Sequence, residues 1–175
     1  ANVRVTINAA PSIGITSPTA SSALTSGVAT TINASASASN PGATIIHNLI
    51  CSRTVSEVIS EGGGRAVRSK VGHSYIKQLM AETGAVFGGE HSAHYYFLDN
   101  YRADSGIIAT MFMLQELSRA DTVLSTLRKP FERYEASGEI NTSVHDADVV
   151  MKAVAEQYKS MPQDWIDGLT VDCGD

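Results

Sequence analysis

Apolar and polar positions alternate in blocks along residues 41–135, and these blocks predict strands and helices in alternation. Short apolar runs predict strands at 44–51, 65–71, 85–87 and 95–98. Between and after them, apolar residues spaced three or four apart predict helices at 54–60, 73–83, 105–120 and about 121–134, the last interrupted at Pro130. This order predicts an α/β domain in which helices cover a mixed sheet.

Cap and turn residues suggest where the predicted helices begin and end. Thr54 and Glu57 have the spacing of a capping box, and Asp104 is placed to cap the long helix. The glycine run 62–64 and Gly84 are expected to end the first and second helices. We expect the Met and Leu positions of the long helix to belong to the core.

The first 40 residues have a different composition. Arg4 is the only Asp, Glu, Lys or Arg before Arg53, and the segment is rich in Ala, Ser, Thr, Gly and Asn. Short β-favouring stretches are punctuated by Pro11, Pro18 and Gly27. The stretch SIGITSPTASSALTSGVATTINASASA resembles the first strands of bacterial immunoglobulin-like repeats, although a complete sandwich needs about seven strands. Residues 1–40 are therefore either a β-type segment or a flexible low-complexity arm.

Residues 136–175 restart the alternation and then stop. A strand is predicted at 139–144, a helix at 146–160 and a second strand at 169–172. One helix and two strands bury too little surface to be stable alone. This segment is interpreted as a partial α+β unit, the incomplete start of a further domain.

Composition excludes several classes of function. With 13 Lys and Arg against 18 Asp and Glu, the chain does not suit nucleic acid. No apolar run reaches the roughly 18 residues of a membrane span, and the start lacks a signal-peptide pattern, so no membrane association is expected. Cys51 and Cys173 form no CxxC pair, and we expect two buried free thiols in a reducing compartment.

Titratable side chains are concentrated between residues 70 and 94. The set consists of Lys70, His73, Glu90, His91, Ser92 and His94. His73 opens a predicted helix and the others follow strands, so we expect them at sheet ends, where α/β domains place ligands. Carboxylate and hydroxyl groups suit sugar hydroxyls, and imidazoles suit phosphate binding or proton transfer. Gly88 and Gly89 are expected to let the backbone turn and approach the ligand.

Structural roles compete with these functional ones. His73 has the alternative role of capping or packing its helix, and Lys70 that of a solvated lysine at a strand end. His47 lies in an apolar strand and is expected in the core. The order Glu90-His91-x-x-His94 is not the HExxH pattern, and no metal site is expected there.

Four segments carry a specific resemblance: HNLICSRTVSEVI, RAVRSKVGHSYIKQLMAETGAVFGGEHSAHYYF, ADSG and RYEASGEIN. Over residues 41–175 they resemble the third and early fourth domains of the bacterial phosphomannomutase/phosphoglucomutase family, the α-D-phosphohexomutases. The resemblance makes GEHSAH the sugar-binding loop. It implies that Glu90 and Ser92 hold two ring hydroxyls, that His94 lies beside them, and that His73 positions substrate and assists proton transfer.

The resemblance also implies a reaction, and it shows which loops needed for that reaction are not found in this sequence. A phosphoserine donates to a hexose phosphate, the bisphosphate reorients, and the other phosphate returns, with magnesium present. We find no TASHNP-like phosphoserine loop, no DGDxDR-type magnesium loop and no RxSNTEP-type phosphate loop. Many relatives have Lys where Ile50 stands and Gly where Ala93 stands. The chain is therefore expected to bind no magnesium and to be inactive alone.

Two hypotheses follow. The first is a fragment or fusion of a cytoplasmic phosphohexomutase that keeps the sugar-binding loop. Its ligand is mannose or glucose 1- or 6-phosphate, and the missing domains are supplied, if at all, by another chain. The second is a non-enzymatic binding or surface module, exported with its immunoglobulin-like segment, in which the α/β part is a scaffold.

Overall fold

A five-stranded sheet lies at the centre of residues 41–135 in the computed structural model, which describes residues 41–137 and 140–174. Its strands are β1 (Thr44–Asn48), β2 (Arg65–Ser69), β3 (Phe87–Gly89), β4 (Tyr95–Phe97) and β5 (Ala103–Asp104). They are ordered β2-β1-β3-β4-β5. The first three are parallel, and β4 and β5 are antiparallel to their neighbours. The predicted mixed sheet is confirmed.

Helices follow the strands in the predicted order. They are α1 (Arg53–Glu61), α2 (His73–Thr83), α3 (Gly106–Ala120) and the short α4 (Leu124–Leu127). Single 3₁₀ turns cover Leu98–Asn100 and Lys129–Phe131. Pro130 therefore lies in a 3₁₀ turn, and the helix predicted at about 121–134 is a four-residue helix followed by this turn, because proline cannot donate an interior helix bond.

Adjacent residues of β1 supply two separate cores, because successive strand side chains point to opposite faces. Ile45 packs in a cluster with Val55 and Ile59 of α1 and with Ala109 and Met113 of α3. On the other face, Ile46 belongs to a cluster with four partners: Ile76 and Met80 of α2, Ala85 and Tyr96. The sheet therefore has helices on both faces, and every residue of β1 is buried.

The helix caps differ from the predicted ones by one or two residues. Ser52, not Thr54, caps α1, since its side chain accepts from the Thr54 backbone N–H. Ser105, not Asp104, caps α3 by accepting from the N–H of Ile108. The predicted capping box is therefore wrong, and Asp104 is free for a different role. Gly62 and Gly84 end α1 and α2 as expected.

The apolar stripe of α3 is buried only in part. Met113 and Leu114 are in the core, but Ile107 is 80% exposed and Met111 is 57% exposed. In α2, Tyr75 is 49% exposed, whereas Ile76 and Met80 are fully buried. The prediction that the Met and Leu positions of α3 belong to the core holds for Met113 and Leu114 and is wrong for Met111.

The third strand lies two residues later than predicted, at Phe87–Gly89 rather than 85–87. Gly88 and Gly89 are buried strand residues, not part of a loop. A Cβ at Gly88 would lie 3.0 Å from Ile76 Cγ2 and 3.5 Å from Met80 Sδ. Gly88 therefore allows α2 to pack closely on the sheet, and the expectation that it admits a ligand is corrected.

Residues 136–174 form the second of two compact units, which divide after Glu135. This unit contains α5 (Ala147–Gln157), capped by Asp146, and an antiparallel pair of β6 (Gln163–Asp164) and β7 (Thr170–Val171). Residues 140–144 are not in a strand, so the strand predicted at 139–144 is not found in its described part. None of the described side chains of this unit is fully buried, as expected for so few elements.

Three smaller expectations concern single residues and the N-terminal segment. His47 is 7% exposed, and burial lowers its pKa, as expected for a core histidine. Both cysteines are free, but Cys173 is exposed and Cys51 is only partly buried, so the prediction of two buried thiols is wrong for Cys173 and holds only in part for Cys51. The predictions for residues 1–40, including the immunoglobulin-like resemblance, concern a segment outside the described residues. Within the described part of the chain, no helix has the length and apolar character needed to cross a bilayer.

Candidate functional site

The predicted site residues gather where β1 and β3 end and α2 begins. Asn48 is the last residue of β1, Glu90 follows β3, and His73 is the first residue of α2. Strand β4 starts beside Glu90, since the Glu90 backbone N–H donates to the carbonyl of His94 at 2.9 Å. The carboxyl ends of parallel strands meet at one sheet edge, so residues distant in sequence come together there.

Glu90 is the buried centre of this site. Its side chain is 2% exposed. One carboxylate oxygen, Oε2, accepts from Asn48 Nδ2 at 3.4 Å and from the Gly72 backbone N–H at 3.2 Å. The other, Oε1, accepts from the Tyr96 hydroxyl at 2.5 Å. These donors satisfy a buried carboxylate that would otherwise be costly, and they hold it in one position.

The Tyr96 hydroxyl links Glu90 to His73 and sets the tautomer of His73. The oxygen of Tyr96 lies 2.7 Å from His73 Nδ1. Because the single hydroxyl proton is donated to Glu90, His73 must donate its Nδ1–H to Tyr96. Burial, followed by the hydrogen bond to Glu90, raises the pKa of Tyr96, so the hydroxyl keeps its proton. In neutral His73, Nε2 then carries the free lone pair.

His94 has a parallel arrangement with a second carboxylate. Its Nδ1 lies 2.9 Å from Asp104 Oδ2. The hydrogen bond from His94 lowers the pKa of Asp104, which is ionised and accepts the Nδ1–H. In neutral His94, Nε2 again carries the lone pair. An imidazole oriented by a carboxylate in this way is suited to accept or donate a proton near neutral pH.

The two imidazoles lie side by side. Their ring centroids are 4.3 Å apart, with an angle of 69° between the planes. His73 is exposed, and the His94 side chain is 40% exposed, so both rings reach solvent. The buried Glu90–Tyr96 pair and Asp104 thus position two accessible nitrogen bases. Such a pair can bind hydroxyl or phosphate groups and exchange protons with them.

The remaining predicted residues lie around this cluster. Ser92 is exposed in the turn between Glu90 and His94, as is His91. Ala93 in the same turn has a left-handed backbone, with φ of 69°. Lys70 is exposed, and its Nζ lies 5.8 Å from the centre of the Tyr75 ring. Ile50, just after β1, is 56% exposed.

Three side chains of the site were not assigned to it from the sequence: Asn48, Tyr96 and Asp104. The position of Asn48 at the end of an apolar strand is a usable signal, since polar residues there face the ligand edge. Tyr96 lies between Tyr95 and Phe97, and no local pattern shows which of the three points towards the site. Asp104 resembles a helix cap in sequence, and its pairing with His94 depends on β5 lying beside β4.

Comparison with known proteins gives the family of this chain. Residues 24–134 match the family model described as phosphoglucomutase/phosphomannomutase, alpha/beta/alpha domain III. The chain belongs to the phosphoglucomutase/phosphomannomutase family. This confirms the resemblance seen in the sequence, and the match also includes residues 24–40, which lie before the segment on which that resemblance rests.

Individual relatives agree with the family assignment. A phosphomannomutase of Methanocaldococcus jannaschii is 38% identical over 131 residues, covering 75% of this chain and 29% of the relative. A phosphomannomutase of Vibrio cholerae is 40% identical over 136 residues, covering 75% and 29%. A solved phosphoglucomutase/phosphomannomutase family protein from Burkholderia thailandensis has a TM-score of 0.75 and 30% identity, covering 86% of this chain and 32% of that one. The chain thus spans about a third or less of these relatives.

Proposed function

We propose that residues 41–137 form the hexose-recognition part of a phosphohexomutase, and that the loop from Glu90 to His94 binds a hexose phosphate. The observation that carries this proposal is the pair of oriented imidazoles beside an exposed serine at the sheet edge of a phosphoglucomutase/phosphomannomutase domain. Relatives named phosphomannomutase support a mannose or glucose phosphate as the ligand class.

The contacts suggest different roles for the loop residues. Ser92, His94 and His73 are the accessible groups, able to donate to and accept from sugar hydroxyls. Glu90 is almost fully buried and already accepts from three protein donors. We propose that Glu90 contributes by ordering the loop and His73, and that it meets a ring hydroxyl only if the loop opens on binding.

Magnesium is the metal implied by the resemblance, and the cluster found here is a poor match to it. Mg²⁺ requires close to octahedral oxygen ligands. Among the described residues, the group with metal-binding spacing is His73, His94 and Asp104, which offers two nitrogens and one carboxylate. We therefore assign no magnesium to this site and no catalytic step through it.

This chain alone is proposed to recognise sugar without turning it over. Phosphoryl transfer is mostly positioning and charge neutralisation, so it needs the phosphoserine, magnesium and phosphate loops together. The sequence contains no segment resembling those three loops. Purified chain is expected to interconvert neither mannose nor glucose phosphates, even with magnesium and a bisphosphate activator. Mutase activity that is lost in Ser92→Ala would contradict this.

Binding is tested by titrating the purified chain with glucose 1,6-bisphosphate and mannose 6-phosphate, followed by NMR. We expect saturable shifts at the amides of residues 90–94 and 72–73. Ser92→Ala and His94→Ala should weaken binding, because each removes an accessible polar group. His91→Ala is the matched control, since the His91 side chain is exposed in the same turn and alanine keeps the backbone N–H that donates to Asn48.

Glu90→Ala is unsuitable as the main binding variant. It would leave Asn48, Gly72 and Tyr96 without their buried acceptor, and loss of such a partner costs about 1–3 kcal/mol. Weaker binding would then reflect a disturbed loop. Equal affinity in Ser92→Ala, His94→Ala and His91→Ala, or no saturation at millimolar ligand, would reject the proposed site.

A further inference from the structure

His73, His94 and Asp104 form a group whose donor atoms are close enough to share one metal ion. One ligand atom from each of the three residues lies within 4.8 Å of the other two. His94 Nδ1 and Asp104 Oδ2 are already 2.9 Å apart. The three residues come from the start of α2, from the residue before β4 and from β5, so the fold and not local sequence assembles them.

The donor types select the class of metal. Two imidazoles and one carboxylate suit Zn²⁺ and related divalent transition metals, whereas magnesium and calcium prefer oxygen ligands. Three protein ligands with one open position is also the usual arrangement of an accessible zinc site. Mg²⁺ is therefore the natural negative control for this group.

The surroundings of the group favour metal binding in a second way. The Nδ1 atom of His73 is held by Tyr96, which is itself held by Glu90. An outer partner of this kind fixes the ring and leaves the other nitrogen for a metal. His73 is exposed and the side chains of His94 and Asp104 are 40% and 34% exposed, so an ion can reach the group from solvent.

We propose that His73, His94 and Asp104 bind one zinc ion at the sheet edge. Zinc takes the place of the proton between His94 Nδ1 and Asp104 Oδ2, so both atoms become ligands and His94 carries its proton on Nε2. His73 gives the third donor atom, and water keeps the open position. Because His73 and His94 also belong to the proposed sugar site, bound zinc excludes the hexose phosphate. This second statement rests on the proposed function, whereas zinc binding itself rests on the geometry alone.

Zinc binding is tested by calorimetric titration of the full chain with ZnCl₂ in a buffer that does not bind metal, without any sugar. We expect one ion per chain, and no heat of binding with MgCl₂. His73→Gln and Asp104→Asn should each raise the dissociation constant at least about tenfold. His91→Gln is the matched control and should leave the affinity unchanged, because His91 lies outside the group.

Cobalt(II) provides a test in the unmodified chain. Bound Co²⁺ should broaden the NMR signals of the His73 and His94 rings more strongly than those of the His91 ring. A strong sulfur-to-cobalt absorption band would instead show binding by Cys51 or Cys173, and would overturn the proposal. Unchanged zinc affinity in both His73→Gln and Asp104→Asn would also overturn it. Circular dichroism of each variant checks that it is folded.

The two proposals fail in distinguishable ways. Zinc binding without any hexose phosphate binding would leave the metal site standing and reject the sugar site. Sugar binding that zinc does not affect would reject the competition between the two. Sugar binding without any zinc binding would reject the metal site alone.

Discussion

Ala93 has a left-handed backbone conformation in the turn that presents Ser92 and His94. This conformation costs a residue with a Cβ about 1–2 kcal/mol, and glycine avoids that cost. Against this, glycine lowers the free energy of unfolding by about 0.4–1 kcal/mol, because it gives the unfolded chain more conformational freedom. Ala93→Gly is therefore expected to raise the free energy of unfolding by about 0.5–1 kcal/mol, measured by urea denaturation.

The control for Ala93 is the same substitution in a helix. Ala81 is an exposed residue of α2, and Ala81→Gly is expected to lower the free energy of unfolding by about 0.5–1 kcal/mol. Opposite signs for the two variants would show that backbone conformation decides the effect. A loss of stability in Ala93→Gly would mean that the turn does not have this conformation in solution.

The sequence could show several residues of the candidate site, but not which side chains they contact. Glu90, His73 and His94 could be picked out because polar groups after strands usually face a ligand edge. The burial of Glu90 could not, since it depends on Tyr96 and Asn48 reaching it from two other strands. Asp104 was misassigned because its local sequence is equally typical of a cap, a role that Ser105 fills.

Strand β3 shows how packing between elements changes a local prediction. Glycine pairs usually indicate a loop, but Gly88 is a strand residue because α2 lies directly over it. A Cβ there would meet Ile76 at 3.0 Å, Met80 at 3.5 Å and Tyr96 at 3.6 Å. Gly88→Ala is expected to lower the free energy of unfolding by about 1–2 kcal/mol through overpacking, measured by urea denaturation.

Gly106 is the matched control for Gly88. It is the first residue of α3, and nothing lies within 4 Å of the Cβ that alanine would add. Gly106→Ala is expected to raise the free energy of unfolding by about 0.4–1 kcal/mol, because alanine restricts the unfolded chain. Equal effects of the two substitutions would show that α2 does not pack closely on β3.

Helix α1 is joined to the segment after the second 3₁₀ turn by a group of charges. Arg133 donates to Glu57 at 2.9 Å and to both carboxylate oxygens of Glu61, at 2.6 and 2.7 Å. Tyr134 also donates to Glu57, and Arg53 lies over the Tyr134 ring. The hydrogen bond from Tyr134, followed by Arg133, lowers the pKa of Glu57, and Arg133 lowers the pKa of Glu61.

These shifts predict a pH dependence for the contribution of Arg133. Both folded-state pKa values lie below the ordinary 4.5, so the contribution is present above pH 4.5 and is lost as pH falls through the folded values. Arg133→Met should therefore be less stable than the parent near neutral pH, and the difference should shrink in acid. Urea denaturation over a pH series measures it. The effect should also weaken with salt, because the group is exposed.

Arg119 is the control for Arg133, since it pairs with Glu116 of the same helix, α3, and its side chain is 65% exposed. Such a pair contributes little, so Arg119→Met should change stability only slightly at any pH. If Arg133→Met lowered the free energy of unfolding equally at neutral and acid pH, the lost stability would come from packing and not from the charges.

At the scale of the whole chain, the sheet and its covering helices could be predicted from the sequence, but the pairing of the short strands could not. The apolar blocks of residues 41–135 predict a sheet covered by helices, because the spacing of apolar residues in each block is typical either of a strand or of a helix. Strands β5, β6 and β7 have two residues each, too few for any period, and they form through their neighbours. The same limit explains the strand predicted at 139–144, since its apolar residues have no described partner strand.

The division after Glu135 predicts where a protease cuts the folded chain. Cleavage requires a stretch of backbone that can leave its contacts, which is easiest outside helices and strands. Glu132 and Glu135 are exposed and lie outside such elements, whereas Glu57 and Glu61 are in α1 and Glu90 is buried. A glutamate-specific protease is expected to cut first at Glu132 or Glu135 and to leave the first unit whole, as measured by mass spectrometry.

The N-terminal segment does not complicate this experiment, because the first acidic residue of the chain is Glu57. Replacing Glu132, Glu135 and Glu139 together by glutamine should slow the first cut strongly, while Glu82→Gln, an exposed change within α2, should leave it unchanged. Early cuts at Glu57, Glu61 or Glu82 in the parent would mean that α1 or α2 opens as readily as the segment around Glu135. The site built on Glu90 and His73 would then lack the rigid support on which sugar and metal binding both depend.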